Sequence, residues 1–122
     1  MNRTDSVTVL ASAARTATVS SRDFDNIHHK GAHVVVDVTA VTATPSVVPS
    51  IEGKDPTSGK YYTLLTGAAI TATGTTVLKI YPGIATVANG AASDVLPRVW
   101  RVTMTHADTD SITYSVAAGL LA

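Results

Sequence analysis

Apolar and polar positions alternate with a period of two along much of this chain, which is the signature of strands with one buried face. The clearest case is Ala32 to Ala40, where Val34, Val36 and Val38 fall on one side and His33, Val35, Asp37 and Thr39 on the other. Arg98 to Met104 repeats it with Trp100, Val102 and Met104 inward, and Ser111 to Val116 with Ile112, Tyr114 and Val116 inward. The segment His106-Ala107-Asp108-Thr109-Asp110 between these two strands has turn composition, so the pair reads as a hairpin. A second hairpin is predicted from Ser46–Glu52 and Lys60–Leu65, which flank Gly53-Lys54-Asp55-Pro56-Thr57-Ser58-Gly59. Pro49 lacks a backbone N–H and is therefore expected at a sheet edge or a bulge. Ala69–Thr73 and Thr75–Tyr81 read as strands separated by Gly74, with Leu78 and Ile80 facing the core. Val7–Ala11 and Arg15–Val19 complete the set, followed by a polar connection from Ser20 to Gly31. Pro82 to Pro97 has weak periodicity and reads as the longest connection.

Composition reinforces this reading. Threonine, valine and alanine dominate, and branching at Cβ suits a pleated sheet better than a helix. About eight short strands predict an all-β fold, a two-sheet antiparallel β-sandwich of jelly-roll or immunoglobulin-like type. At 122 residues the chain is expected to form one domain, residues 1–122, with residues 1–12 as an extended N-terminal arm. Nine basic and nine acidic residues leave a formal net charge of zero, so no long-range field favours a nucleic acid or an anionic membrane. With no cysteine, disulfides and thiolate chemistry are excluded. The first residues show neither a signal peptide nor a membrane span, so synthesis in the cytoplasm without export is the expectation.

Candidate chemistry is sparse. His28-His29 with Asp23 and Asp25 offers metal-ligating side chains, but their spacing fits no metal motif and a polar loop is the better reading. Asp108-Thr109-Asp110 resembles the start of a calcium loop without its glycine and distal glutamate. Serine, histidine and aspartate are present, yet nothing in the spacing places a nucleophile beside a base. The glycines are isolated, so no phosphate-cradling loop is seen. No catalytic, cofactor or metal site is assigned, and the chain is expected not to be an enzyme. Tyr61 is a candidate contact residue because a tyrosine offers a large amphipathic face.

The runs Val9-Leu10-Ala11-Ser12-Ala13-Ala14-Arg15-Thr16-Ala17-Thr18, His33 to Ala40 with Thr44-Pro45-Ser46, and Gly53 to Tyr62, taken in order, resemble small virion proteins of tailed phages. Ile70-Thr71-Ala72-Thr73-Gly74-Thr75, Tyr81-Pro82-Gly83, Leu96 to Val102 and Ser111 to Val116 continue the likeness over nearly the whole chain. Val48-Pro49-Ser50 departs from it, standing where an uninterrupted strand is expected. The resemblance implies a virion component on the capsid surface, made in the host cytoplasm. The favoured role is capsid decoration or cement, with the major capsid protein as partner and a homotrimer as the assembly. The N-terminal arm and the Pro82–Pro97 loop would make the contacts, through Val7, Val9, Leu10, Arg15, Ile84, Val87 and Asn89 together with Tyr61. A tail or head-to-tail joining protein is the alternative from the same class. A carbohydrate-binding module is the alternative from another class, resting on Trp100, Tyr61, Tyr62 and Tyr81.

Overall fold

The computed structural model describes residues 4–122, which form ten strands and, among the described residues, no helix. One sheet contains β1 (Thr4–Arg15), β10 (Ile112–Leu121), β4 (Gly31–Val41), β7 (Gly74–Ile80) and β8 (Ala91–Ala92), in that spatial order. The other places β2 (Val19–Ser20) and β3 (Phe24–Asp25) along one edge of β9 (Val99–His106), followed by β5 (Val47–Lys54) and β6 (Tyr61–Thr66). All pairings are antiparallel except β7 with β8. The fold is thus the two-sheet sandwich that the alternation predicts.

The inward residues of both sheets form one core. Val34, Val36, Leu78, Ile80, Ile112, Tyr114 and Val116 from the first sheet pack with Val47, Ile51, Trp100, Val102 and Met104 from the second, all at most 1% exposed. Each such side chain contributes roughly 1.5–3 kcal/mol by leaving water. Phe24 stacks on Trp100 at 5.0 Å between ring centroids and closes one end of the core. The β5–β6 hairpin turns where the sequence places it. Gly59 adopts φ +76°, and the Asp55 carboxylate accepts from Thr57 N–H and Ser58 Oγ at 2.9 Å each.

Six expectations need correction. Residues 4–12 are not a free arm: β1 pairs with β10 along its length and buries Val9, while residues 1–3 lie outside the described residues. β9 and β10 do not form a hairpin, since they belong to different sheets and His106–Asp110 carries the chain between layers. Neither Arg15–Val19 nor Ala69–Thr73 is a strand: Arg15 ends β1 and Val19 opens β2, and in the second run only Ile70 bridges, to Val47. The polar stretch Ser20–Gly31 contains most of two short strands, joined by a buried Ser21 whose hydroxyl accepts from Val102 N–H at 3.0 Å and replaces a ladder bond.

Pro49, the sixth, sits within β5, between β9 and β6 and away from any edge. In an antiparallel strand the N–H and C=O of one residue point to the same side. The Pro49 carbonyl accepts from Gly67 N–H at 2.8 Å, just past the end of β6. The missing N–H therefore faces the side where the β6 ladder has stopped, and the β9 ladder loses nothing.

Candidate interaction surface

The two outer faces of the sandwich differ in chemistry. On the β9–β5–β6 face polar groups satisfy one another. Glu52 accepts from Arg101 Nε at 2.8 Å and from Thr103 Oγ1 at 2.7 Å, and Ser20 and Thr103 hydroxyls are 2.8 Å apart. Because Thr103 donates to Glu52, Ser20 is the donor to Thr103. Asp23 accepts from the Tyr61 hydroxyl at 2.7 Å and from Lys54 Nζ at 3.0 Å. These two bonds hold the Asp23 carboxyl below its ordinary range, and Asp23 in turn raises Lys54. The Arg101 guanidinium lies 3.4 Å over the Tyr61 ring centroid.

The outer face of the other sheet is polar or charged in its flanking rows and apolar only along its middle row. Strand register aligns three rows across it. The middle row is Thr8, Ala117, Val35 and Val77; on one side lie Gly119, His33 and Lys79, and on the other Ser115, Asp37 and Thr75. Val77 is 38% exposed. At Val77 the middle row borders a cleft of about 370 Å³ that Val77 and Lys79 line together with Ile84, Ala85 and Val87 of the following loop. Charge on this face is confined to its two ends.

Of the residues singled out from sequence, Ile84 and Val87 line that cleft, and Asn89, at φ +61°, lies in the same loop with its amide donating to the Thr66 carbonyl at 3.2 Å. The β1 residues lie elsewhere: Val9 is in the core, and Val7 and Leu10 pack against it. Arg15 is a clasp. β1 bulges twice between Thr8 and Ala13, and the Arg15 guanidinium donates to the carbonyls of Ala11 (2.6 Å), Ala13 (3.3 Å) and Tyr114 (2.8 Å). Tyr61 is on the opposite sheet. Ala117, Val35 and Val77 were missed by the sequence reading, although Val35, a valine on the otherwise polar side of β4, was the available signal.

Polar clusters elsewhere are tied internally. Asp25 pairs with Arg98, which lowers its carboxyl, and His29 Nε2 meets Asp5 at 3.0 Å beside a cleft of about 330 Å³. Among the described residues no three His, Asp or Glu side chains converge as metal ligands. Asp110 accepts from Thr44 N–H and Oγ1 at 3.2 and 3.3 Å. The Tyr114 hydroxyl and His106 Nε2 are 2.9 Å apart inside the sandwich, while His106 Nδ1 is buried with no partner. Burial pushes Tyr114 up to about 12 and lowers His106. The four aromatic residues considered for sugar stacking do not form a platform. Trp100 is 1% exposed, Tyr61 is covered by Arg101, the Tyr81 hydroxyl donates to the Ala122 carbonyl, and Tyr62 lies against Gly53.

No family model and no curated protein matches the sequence. Among solved structures the fold is similar to the SPBc2 prophage-derived protein YomS, with a TM-score of 0.58 and 14% identity over 100% of this chain and 96% of that one. It is also similar to a chain of infectious bursal disease virus, Gx strain, with a TM-score of 0.58 and 8% identity over 99% of this chain and 33% of that one. Both likenesses establish a shared sandwich fold.

Proposed function

We propose that this chain is a non-enzymatic structural protein of a tailed-phage particle, binding the outer capsid surface as a decoration or cement protein in contact with the major capsid protein. The observation that carries the reading is the fold shared end to end with a prophage-derived protein, with a viral chain containing the same sandwich as one third of its length. Fold alone does not define function, so the surface adds the second support. The Pro82–Pro97 connection presents Val87 and Val95, 58% and 52% exposed, on a loop anchored by β8 and by buried Leu96. Short side chains lose little rotamer entropy when such a surface is covered.

The test is to purify particles of the phage or prophage that encodes the chain and quantify the chain by mass spectrometry against the major capsid protein. A fixed stoichiometric ratio is expected, with Val87→Asp/Val95→Asp chain expressed in the same host but lost from the particle. A chain found in the lysate and missing from the particle contradicts the proposal. Recovery only with detached tails favours the joining or tail role instead.

A further inference from the structure

The outer face of the β1–β10–β4–β7 sheet has an internal order that its composition alone does not show. Its middle row is uncharged and apolar at Ala117, Val35 and Val77. One flanking row carries His33 and Lys79, and the other carries Asp37, whose carboxylate also accepts from Thr75 Oγ1 at 3.4 Å. The face is therefore basic at one end of the strands, acidic at the other and apolar between.

We infer that two copies of this chain pair face to face through this sheet, about a two-fold axis lying in the interface and running across the strands along the Ala117–Val35–Val77 row. The axis direction follows from the charges. Rotation about an axis across the strands reverses strand direction but leaves each strand over its own counterpart. Val35 then meets Val35 and Val77 meets Val77, while the His33 and Lys79 end of one copy covers the Asp37 end of the other. An axis parallel to the strands would bring each end onto its like, placing basic groups together and acidic groups together, which is unfavourable. Sheets stack with strands aligned to within about 30°, which this arrangement allows. In place of the threefold assembly that the sequence resemblance implies, the face supports a pair.

The size of the face sets the strength. Strands about 4.8 Å apart and same-face residues about 6.8 Å apart give four strands and three rows an extent on the order of 400 Å² per copy. That is about half of a standard interface, and the face lacks the large aromatic and arginine anchors of tight ones. The pair is accordingly weak, with a dissociation constant on the order of 100 µM.

Sedimentation velocity of the full chain from about 10 µM to about 1 mM tests this directly. The weight-average mass is expected to rise towards twice that of the monomer. Val77→Lys places two ammonium groups against each other at the axis and is expected to weaken the pair at least about tenfold. His33→Asp and Asp37→Lys, which face each other across the axis, are singly expected to weaken it roughly threefold, and the double variant to return to within about twofold of the native chain. All these side chains are outward, so unchanged thermal unfolding serves as the folding control. A chain that stays monomeric to the highest concentration, a trimer, or a pair indifferent to Val77→Lys overturns the inference. Failure of the double swap to recover overturns the axis direction and with it the proposal. None of these outcomes bears on whether the chain is present in particles, so the capsid reading stands or falls separately.

Discussion

Replacing Tyr114 by phenylalanine isolates one buried hydroxyl whose removal the structure makes unusually costly. The ring is fully buried, and phenylalanine fills nearly the same volume, so no cavity term is expected. What is lost is the 2.9 Å bond to His106 Nε2. An ordinary hydrogen bond contributes only about 1 kcal/mol net, because water competes for both partners in the unfolded chain. Here His106 Nδ1 already has no partner in its buried position, so Tyr114→Phe leaves both imidazole nitrogens unsatisfied. The cost of an orphaned buried group, about 1–3 kcal/mol, then applies in place of the net value. A loss of about 2 kcal/mol with a urea m-value of about 2 kcal/mol/M for a domain of this size moves the unfolding midpoint down by about 1 M. Trp100, the single tryptophan, is 1% exposed and reports the transition by fluorescence. A midpoint equal to or above that of the native chain, at unchanged m, would refute the reasoning that His106 depends on this hydroxyl.

Further outcomes follow from the same contacts. Gly31→Ala is expected to cost about 3 kcal/mol, because a Cβ there would stand 2.2 Å from the Ile80 carbonyl oxygen, whereas Gly53→Ala first meets the movable Tyr62 ring and should cost about 1 kcal/mol; urea midpoints distinguish them. Arg15→Lys keeps the charge but cannot serve three carbonyls, so a loss of about 1–2 kcal/mol is expected, with faster amide hydrogen exchange in β1. Stability should fall at both ends of the pH scale. His106 is depressed below 6.5, so its contribution is complete above that value and declines as pH drops through it, and the lowered carboxyls of Asp23, Asp25 and Asp55 add a second loss below about pH 4. Tyr114 is raised from 10 to about 12, so its contribution is complete below pH 10 and is lost as pH rises through that window. Urea midpoints across pH, repeated with His106→Gln, should show the first step near neutrality disappear.

The sandwich was legible because its long strands have one buried face. β4, β9 and β10 alternate as half-buried strands do, and their inward residues were identified correctly. β2 and β3 are two residues each, too short for any period, and their sheet is continued by the Ser21 side chain, which sequence spacing does not reveal. The residues of His106–Asp110 have turn chemistry whether the chain folds back within a sheet or crosses to the other layer, so the mistaken hairpin came from a signal that is local. Ala69–Thr73 has strand-like residues but no partner beyond Ile70, and β propensity expresses packing against neighbours more than backbone preference. For β1 the reading took a polar, alanine-rich start as loose, while the free edge is bulged and clasped by Arg15. Of the proposed contact surfaces only the loop was named from the sequence. Val87 stands out in sequence, whereas the row Ala117–Val35–Val77 exists only once β10, β4 and β7 are known to be neighbours.

Cryo-electron microscopy of intact particles of the phage or prophage proposed to encode the chain is the most direct test of the proposed virion role. Density for a two-layer β-sandwich seated on the outside of the head, with the Pro82–Pro97 loop against the shell, is the predicted result. A head whose density is fully accounted for by other proteins, with no sandwich of this shape on it, would contradict the account.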